Sequence, residues 1–565
     1  MIKDKQLTEW YGNVSDKKNN ELTRILDVEY AHLTLENKDD LYITKYGLSF
    51  IENLKPENFL LDKEWYNNNS TKLSGTSSIY KVKTKRVNNK SKEIVVKWNR
   101  MGQDIPGIDE TSDLLNAEFN SPFEEFSLVM ELREQLYNAK EKLALQKPLA
   151  IYVPSKNVDP FRLGRKVYKM KDVIASHTDI ELDMCRPYAM IYEWIKGVDV
   201  TCACKEYNLN EYFMEILTIK GEDKIQNYGY TVLDRKPHHI IVRSEKKSGL
   251  LRDKDGKIVF GLVDYELLNR IPERDNEIRR LRRAEYLTRQ RDRFSEENIK
   301  TFHPHLAYEN VLGVDYVYGL VGSTKGRLWV VGKDPFLYDY FLPERWEHTP
   351  KTRISKSNEM YHTKTKDNIN IVWKLSKVGI KPELDPFKED EEAIMEYGYN
   401  SPFEEIAIAI DLSNKGVPTI YPRAVYMPGG EIEIPQNVYD DGRYKSHSEL
   451  KTSDDVPILS KDHDYILIWG YWNGPDELLA VRDGVYYEGV DMLKAYREEI
   501  ISKEEYLSFL EITKDRLNRL GYDALSLRGN HLLLSIDDAG NIVKDDEGNI
   551  ELRICNFEFL KRDKL

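Results

Sequence analysis

Residues 228–242, YGYTVLDRKPHHIIV, gather Asp234, Lys236, His238 and His239 into one short stretch between apolar runs. A carboxylate two positions from an ammonium suits the attack of a hydroxyl on a phosphate. The acid can accept or orient the proton, and the cation can steady the phosphoryl group. The plainer reading is a strand–turn–strand in which Asp234 caps a turn with Pro237. Three further charged residues stand where elements end or turn: Lys97 closes the apolar run KEIVVKW, Glu125 sits in SPFEEFSLV, and Asp264 sits in LVDYE.

The elements that must position these residues occur twice. NSPFEEFSLVMEL (120–132) returns as NSPFEEIAIAIDL (400–412), and YAMIYEWIKG (188–197) answers to YILIWGYWNG (465–474). YTVLDRKPHHIIV answers to YDALSLRGNHLLL (522–534), and FGLVDYELLNR (260–270) to LRICNFEFLKR (552–562). YKVKTKRVNNKSKEIVVKWNRMG (80–102) returns as YHTKTKDNINIVWKLSKVG (361–379) in the same order. Matches in one order imply duplication. The boundaries read as an N-terminal extension over 1–29, a first domain over 30–270, an Arg-rich helical connector over 271–302 and a second domain over 303–565. Acidic residues interspersed along the connector mark a solvated linking helix.

Each repeat reads as strands, helix, strands, helix and hairpin. SSIYKVKTK alternates and KEIVVKW is β-branched, so both are strands. SPFEEF opens an amphipathic helix with Ser121 at the N-cap and Pro122 at N1. KPLAIYVP and YAMIYEW are buried strands, and LNEYFMEILTIKGEDKIQNYG is a helix. Cys202 and Cys204 read as small residues on one face of a buried strand, and Trp65 and Trp346 as core anchors. His238 is expected to point away from His239 if both lie on an extended segment.

These motifs resemble those of the protein-kinase-like superfamily. GTSSIYKV (75–82) is similar to a degenerate glycine-rich loop that keeps Gly75, and IVVK (94–97) to the V-A-I-K strand, which makes Lys97 the phosphate-pairing lysine. Glu125 matches the helix-C glutamate, with Glu124 as its competitor. MIYEWIKG resembles the hinge, which puts Glu193 to Ile195 near an adenine. LDRKPHHII resembles the catalytic loop, and LVDYE stands where D-F-G would. The resemblance implies an α+β fold of two tandem units, each an antiparallel β lobe with helix C and a reduced helical lobe. It implies ATP and Mg²⁺ as cofactors, Asp234 and Lys236 as catalytic residues, and Asp264 and His239 at the metal. His239 replaces the usual Asn and is a poorer Mg²⁺ ligand, although a similar histidine occurs in some sugar kinases. Val232, Leu233 and Glu266 depart from the pattern, and no A-P-E motif follows.

The second repeat keeps Lys374 and Glu405, but Ser526 replaces Asp234 and Asn556 replaces Asp264. It reads as a pseudokinase. Three functions stay open: an ATP-dependent phosphotransferase acting on a protein or small-molecule hydroxyl, a nucleotide-binding scaffold with no catalysis, and nucleotidyl transfer from ATP. The 565 residues carry a net charge of −13, which disfavours nucleic-acid or anionic-membrane partners. No apolar run reaches the roughly 18 residues of a membrane span, and no signal peptide is evident. Four cysteines make no disulfide framework. The expected location is the cytoplasm.

Overall fold

The computed structural model describes residues 5–13, 19–73, 78–105, 117–176, 182–234, 236–245, 249–302, 306–321, 324–355, 358–383, 391–475, 479, 485–544 and 548–562. The architecture is α+β, and its two largest sheets are antiparallel. The chain forms two compact units, Met1–Glu277 and Ile278–Leu565.

Unit 1 is built on an eight-stranded sheet. In spatial order the strands are Asn20–Ile25, Val28–Thr34, Asp40–Ile43, Pro148–Val153, Ala189–Glu193, Glu93–Trp98, Ile79–Lys83 and Ser70–Lys72. Alternation along Glu93–Trp98 sends Ile94 and Val96 into a cluster with Leu41, Ile43 and Ile191. Val95 turns to the opposite face, against helix Pro122–Asn138, where Phe126, Val129 and Leu132 are buried. That helix starts with a capping box. The Ser121 hydroxyl accepts the Glu124 N–H, and the Glu124 carboxylate accepts the Ser121 N–H. Strands Val198–Asp199, Ile240–Val242, Phe260–Leu262 and Ala144–Leu145 form a smaller sheet. Helices Val200–Glu206 and Glu211–Gln226 belong to the same unit.

Unit 2 repeats the plan. Its eight strands run Leu306–Val311, Val314–Val321, Gly326–Val331, Tyr421–Met427, Ile466–Gly470, Asn370–Leu375, Met360–Lys364 and Lys351–Arg353. This is the unit 1 order with each strand replaced by its counterpart. Helix Pro402–Asn414 carries the same capping box, from Ser401 and Glu404. Repeated sequence has become repeated topology.

Several local expectations need correction. Residues 20–25, expected within an N-terminal extension, form the edge strand Asn20–Ile25 of the sheet, paired in register with Val28–Thr34. Helix Pro272–Arg291 is continuous, but the boundary between units falls within it. It is more than a solvated link, since Tyr286 and Leu287 are buried in a unit 2 core. Cys202 and Cys204 lie on helix Val200–Glu206, Cys202 exposed and Cys204 buried. Trp346 is fully buried. Trp65 is only partly buried and donates its indole N–H to the Lys83 carbonyl at 2.9 Å. His238 and His239 sit in a 3₁₀ turn, Pro237–His239, rather than on a strand, so their rings meet edge to face at 4.5 Å.

Candidate functional site

The sequence-predicted residues of unit 1 converge on one cavity of about 660 Å³, within the usual range for a small-molecule site. Lys97, Glu125, Ile195, Asp234, Lys236, His239 and Asp264 all line it. Glu193 does not. Strand alternation turns it outward, where its carboxylate pairs with Lys92 at 2.5 Å and Lys147 at 3.1 Å. Gly75 lies outside the described residues.

Lys97 is the centre of the charge network. It lies on the helix-facing side of its strand and is 4% exposed. Its Nζ donates to Asp264 Oδ1 at 2.6 Å and lies 3.3 Å from Glu266 Oε2 and 3.7 Å from Glu125 Oε1. The expected partner, Glu125, is therefore the most distant of the three acids. Glu124 is excluded from the role because the capping box occupies it. Glu125 is fully buried, and its Oε1 accepts the Tyr192 hydroxyl at 2.7 Å. Burial pushes its pKa up to about 7, against the pull of Lys97 and Tyr192. For Lys97, burial opposes the charge, but Asp264, Glu125 and Glu266 outweigh it and hold the pKa above the ordinary lysine range.

Glu266 occupies the place read as a departure from the D-F-G pattern, yet it serves the lysine and also meets Arg100 at 3.3 Å. This role was missed, although a signal existed: Glu558 preserves the position in the second repeat, together with Lys374 and Glu405. Asp264 adopts a left-handed backbone, φ +70°, which Asp tolerates better than most residues. Burial would raise its pKa, but Lys97 above all reverses this and brings it down to about 2. Its Oδ2 lies 3.4 Å from His239 Nε2. Burial depresses His239 to about 4, so the imidazole is neutral at neutral pH. Its Nδ1 is buried without a hydrogen-bond partner.

Asp234 and Lys236 stand where the cavity is wetter. Their side chains are 34% and 43% exposed and pair at 2.8 Å. A carboxylate and an ammonium, each open to a ligand, thus face the same space as the buried lysine.

Among the described residues no group of three or more His, Cys, Asp or Glu side chains is arranged to hold a metal ion. Asp264 offers hard oxygen donors that suit Mg²⁺ when a ligand supplies the remaining oxygens. The His239 imidazole suits it less well. No helix among the described residues is long and apolar enough to cross a membrane.

The corresponding place in unit 2 is built differently. Lys374 pairs with Glu405 at 2.7 Å and Glu558 at 3.1 Å, and all three are buried. Ser526, His531 and Asn556 line a space of about 10 Å³, and Ser526 and Arg528, in the places of Asp234 and Lys236, also line one of about 560 Å³ that Lys374 does not reach. Trp472 replaces Ile195, and Arg553 replaces Gly261. The Arg553 guanidinium covers the Trp472 ring at 3.7 Å, and the indole N–H donates to Ser535 Oγ at 2.6 Å. Trp469, in the place of Tyr192, stacks on Phe557 at 5.3 Å.

No protein-family model matches the chain, and no curated protein does. Among solved structures, a Mycobacterium tuberculosis protein, Rv3197 in complex with erythromycin, is 13% identical with a TM-score of 0.17. The match covers 45% of this chain and 63% of that one, so the chain spans less than two thirds of the neighbour's length. A likeness at that level carries no argument about fold or activity.

Proposed function

We propose that unit 1 is an ATP-dependent phosphotransferase of the protein-kinase-like superfamily and that unit 2 is its degenerate copy. The observation that carries this reading is the convergence of Lys97, Asp234, Lys236 and Asp264 on one ligand-sized cavity. Phosphoryl transfer asks a protein mainly for positioning and charge neutralisation. Lys97, held at the cavity wall by three carboxylates, is the cation that would meet phosphate oxygens as Asp264 turns to Mg²⁺. Lys236, at the open side, can hold the transferring group, and Asp234 can orient the acceptor hydroxyl and take its proton. Asp264 would hold Mg²⁺, which supplies neutralisation of phosphate charge when bound. The antiparallel sheet, with the helix of Glu125 inserted between the lysine strand Glu93–Trp98 and the strand Pro148–Val153, also supports the superfamily reading.

Transfer of label from ATP to cell-extract acceptors is the test. Label from the γ position, abolished by Asp234→Ala and by Asp264→Ala, is the expected result. Label from the α position means nucleotidyl transfer instead, and binding without either label means a scaffold. Label that survives both substitutions refutes the catalytic assignment.

A further inference from the structure

Gln146 is a buried amide that the charge network does not use. It is 6% exposed, it lines the unit 1 cavity, and its side chain has no hydrogen-bond partner among the described residues. Its backbone is pinned: the Gln146 N–H donates to the Tyr265 hydroxyl at 2.9 Å, and that hydroxyl donates to the Leu262 carbonyl. The amide opens into the cavity and is not engaged by a described residue, so it is available to a ligand there. The duplicated unit provides the control. Strand pairing puts Leu262 beside Leu145 in unit 1 and Ile554 beside Thr419 in unit 2, so the residue equivalent to Gln146 is Ile420. Ile420 packs in the unit 2 hydrophobic core. The amide lines the unit 1 cavity, and its unit 2 counterpart is an apolar core residue.

The amide offers one donor and one acceptor side by side. The complementary ligand edge carries an exocyclic amino group next to a ring nitrogen acceptor, as adenine does. Around it the cavity presents Leu73, Ile79, Val95, Ile241 and Val263, which suit the faces of a flat ring. We propose that Gln146 is a specificity-determining residue of unit 1 that hydrogen-bonds the amino-bearing edge of an adenine base. This rests on the nucleotide reading of the cavity.

The test is calorimetric titration of the full chain with the Mg²⁺ complexes of ATP, GTP and purine riboside triphosphate, which lacks the amino group. The wild type is expected to favour ATP over purine riboside triphosphate by about 10- to 100-fold, the worth of one paired base edge. Gln146→Ile, the residue unit 2 itself uses, and the near-isosteric Gln146→Met are expected to bring the three affinities to within about threefold while the unliganded chain melts as the wild type does. Equal wild-type binding of ATP and purine riboside triphosphate overturns the role of Gln146 without any variant and leaves the nucleotide site standing. Undiminished ATP preference in a folded variant overturns it too. Absence of binding by all three nucleotides sinks the nucleotide reading and this inference with it.

Discussion

Unit 1 and unit 2 share a strand order, a capped helix and a buried lysine held by two glutamates, but the unit 1 lysine lines a ligand-sized cavity together with two aspartates that unit 2 has replaced by Ser526 and Asn556. The difference separates what the fold needs from what chemistry needs. Lys374, Glu405 and Glu558 persist where Ser526 and Asn556 have replaced the two aspartates, which points to an architectural role for the lysine–glutamate cluster in both units. A buried charge left without its partner is strongly destabilising, which keeps such a cluster in place once it exists. Asp234 and Asp264 are what unit 2 lacks. These are the features that a ligand would use.

The comparison can be broken most forcefully at the lysines. Lys97→Met and Lys374→Met should each destabilise their own unit by roughly 3–5 kcal/mol, because buried carboxylates lose their cation. Only Lys97→Met should also abolish nucleotide binding. Denaturant unfolding and ligand titration on the same samples check both halves. A more local break is Asp264→Asn, which gives unit 1 the residue of unit 2. Label transfer from ATP should fall by about 100-fold or more. The reciprocal Asn556→Asp should create no activity, since Ser526 still stands in the place of Asp234.

A third prediction sharpens the shared part. Burial depresses both His239 and His531 to about 4. The folded chain then binds fewer protons than the unfolded chain between about 4 and the unfolded value near 6.5. The stability tied to each neutral imidazole is complete above about 6.5 and is lost as pH falls toward 4. Replacing either histidine by Asn should therefore reduce the loss of stability between pH 7 and pH 4.5 by about 1–3 kcal/mol, equally in the two units. Urea unfolding at the two pH values reads the effect. An effect confined to unit 1 would tie the histidine to its cavity rather than to the shared architecture. The smallest expected effect is at the helix caps. Ser121→Ala and Ser401→Ala should each cost about 1 kcal/mol in thermal or denaturant unfolding, because the same hydroxyl accepts the same N3 donor.

Long-range organisation was legible in the sequence because duplication exposed it. SPFEE stands at both helix starts, and the strand runs recur in order, so the repeated sheet could be anticipated from repeated patterns. Lys97, Asp234, Lys236, His239 and Asp264 could be brought together from spacing and resemblance. What escaped depended on facts that local pattern does not encode. Glu193 and Tyr192 are neighbours, and only the facing of the strand decides that the tyrosine reaches Glu125 while the glutamate turns to Lys92 and Lys147. Residues 200–206 read as a strand from their small side chains, but Asp199 caps them into a helix by accepting the Cys202 N–H at 2.9 Å. Pro237 starts a 3₁₀ turn that brings two histidines together where an extended chain would part them. Trp65 and Trp346 match in sequence, yet Trp346 is enclosed by Trp373 and Tyr426, whereas Trp65, on helix Lys63–Asn69, is only partly buried and bonds the Lys83 carbonyl.

The most direct test of the central claim, one cleft equipped with both aspartates and one without them, is the stoichiometry of Mg²⁺–ATP binding to the intact chain by calorimetry. The account predicts one site per chain, lost in Lys97→Met and kept in Lys374→Met. Two sites, or a single site that survives Lys97→Met and disappears with Lys374→Met, would contradict it.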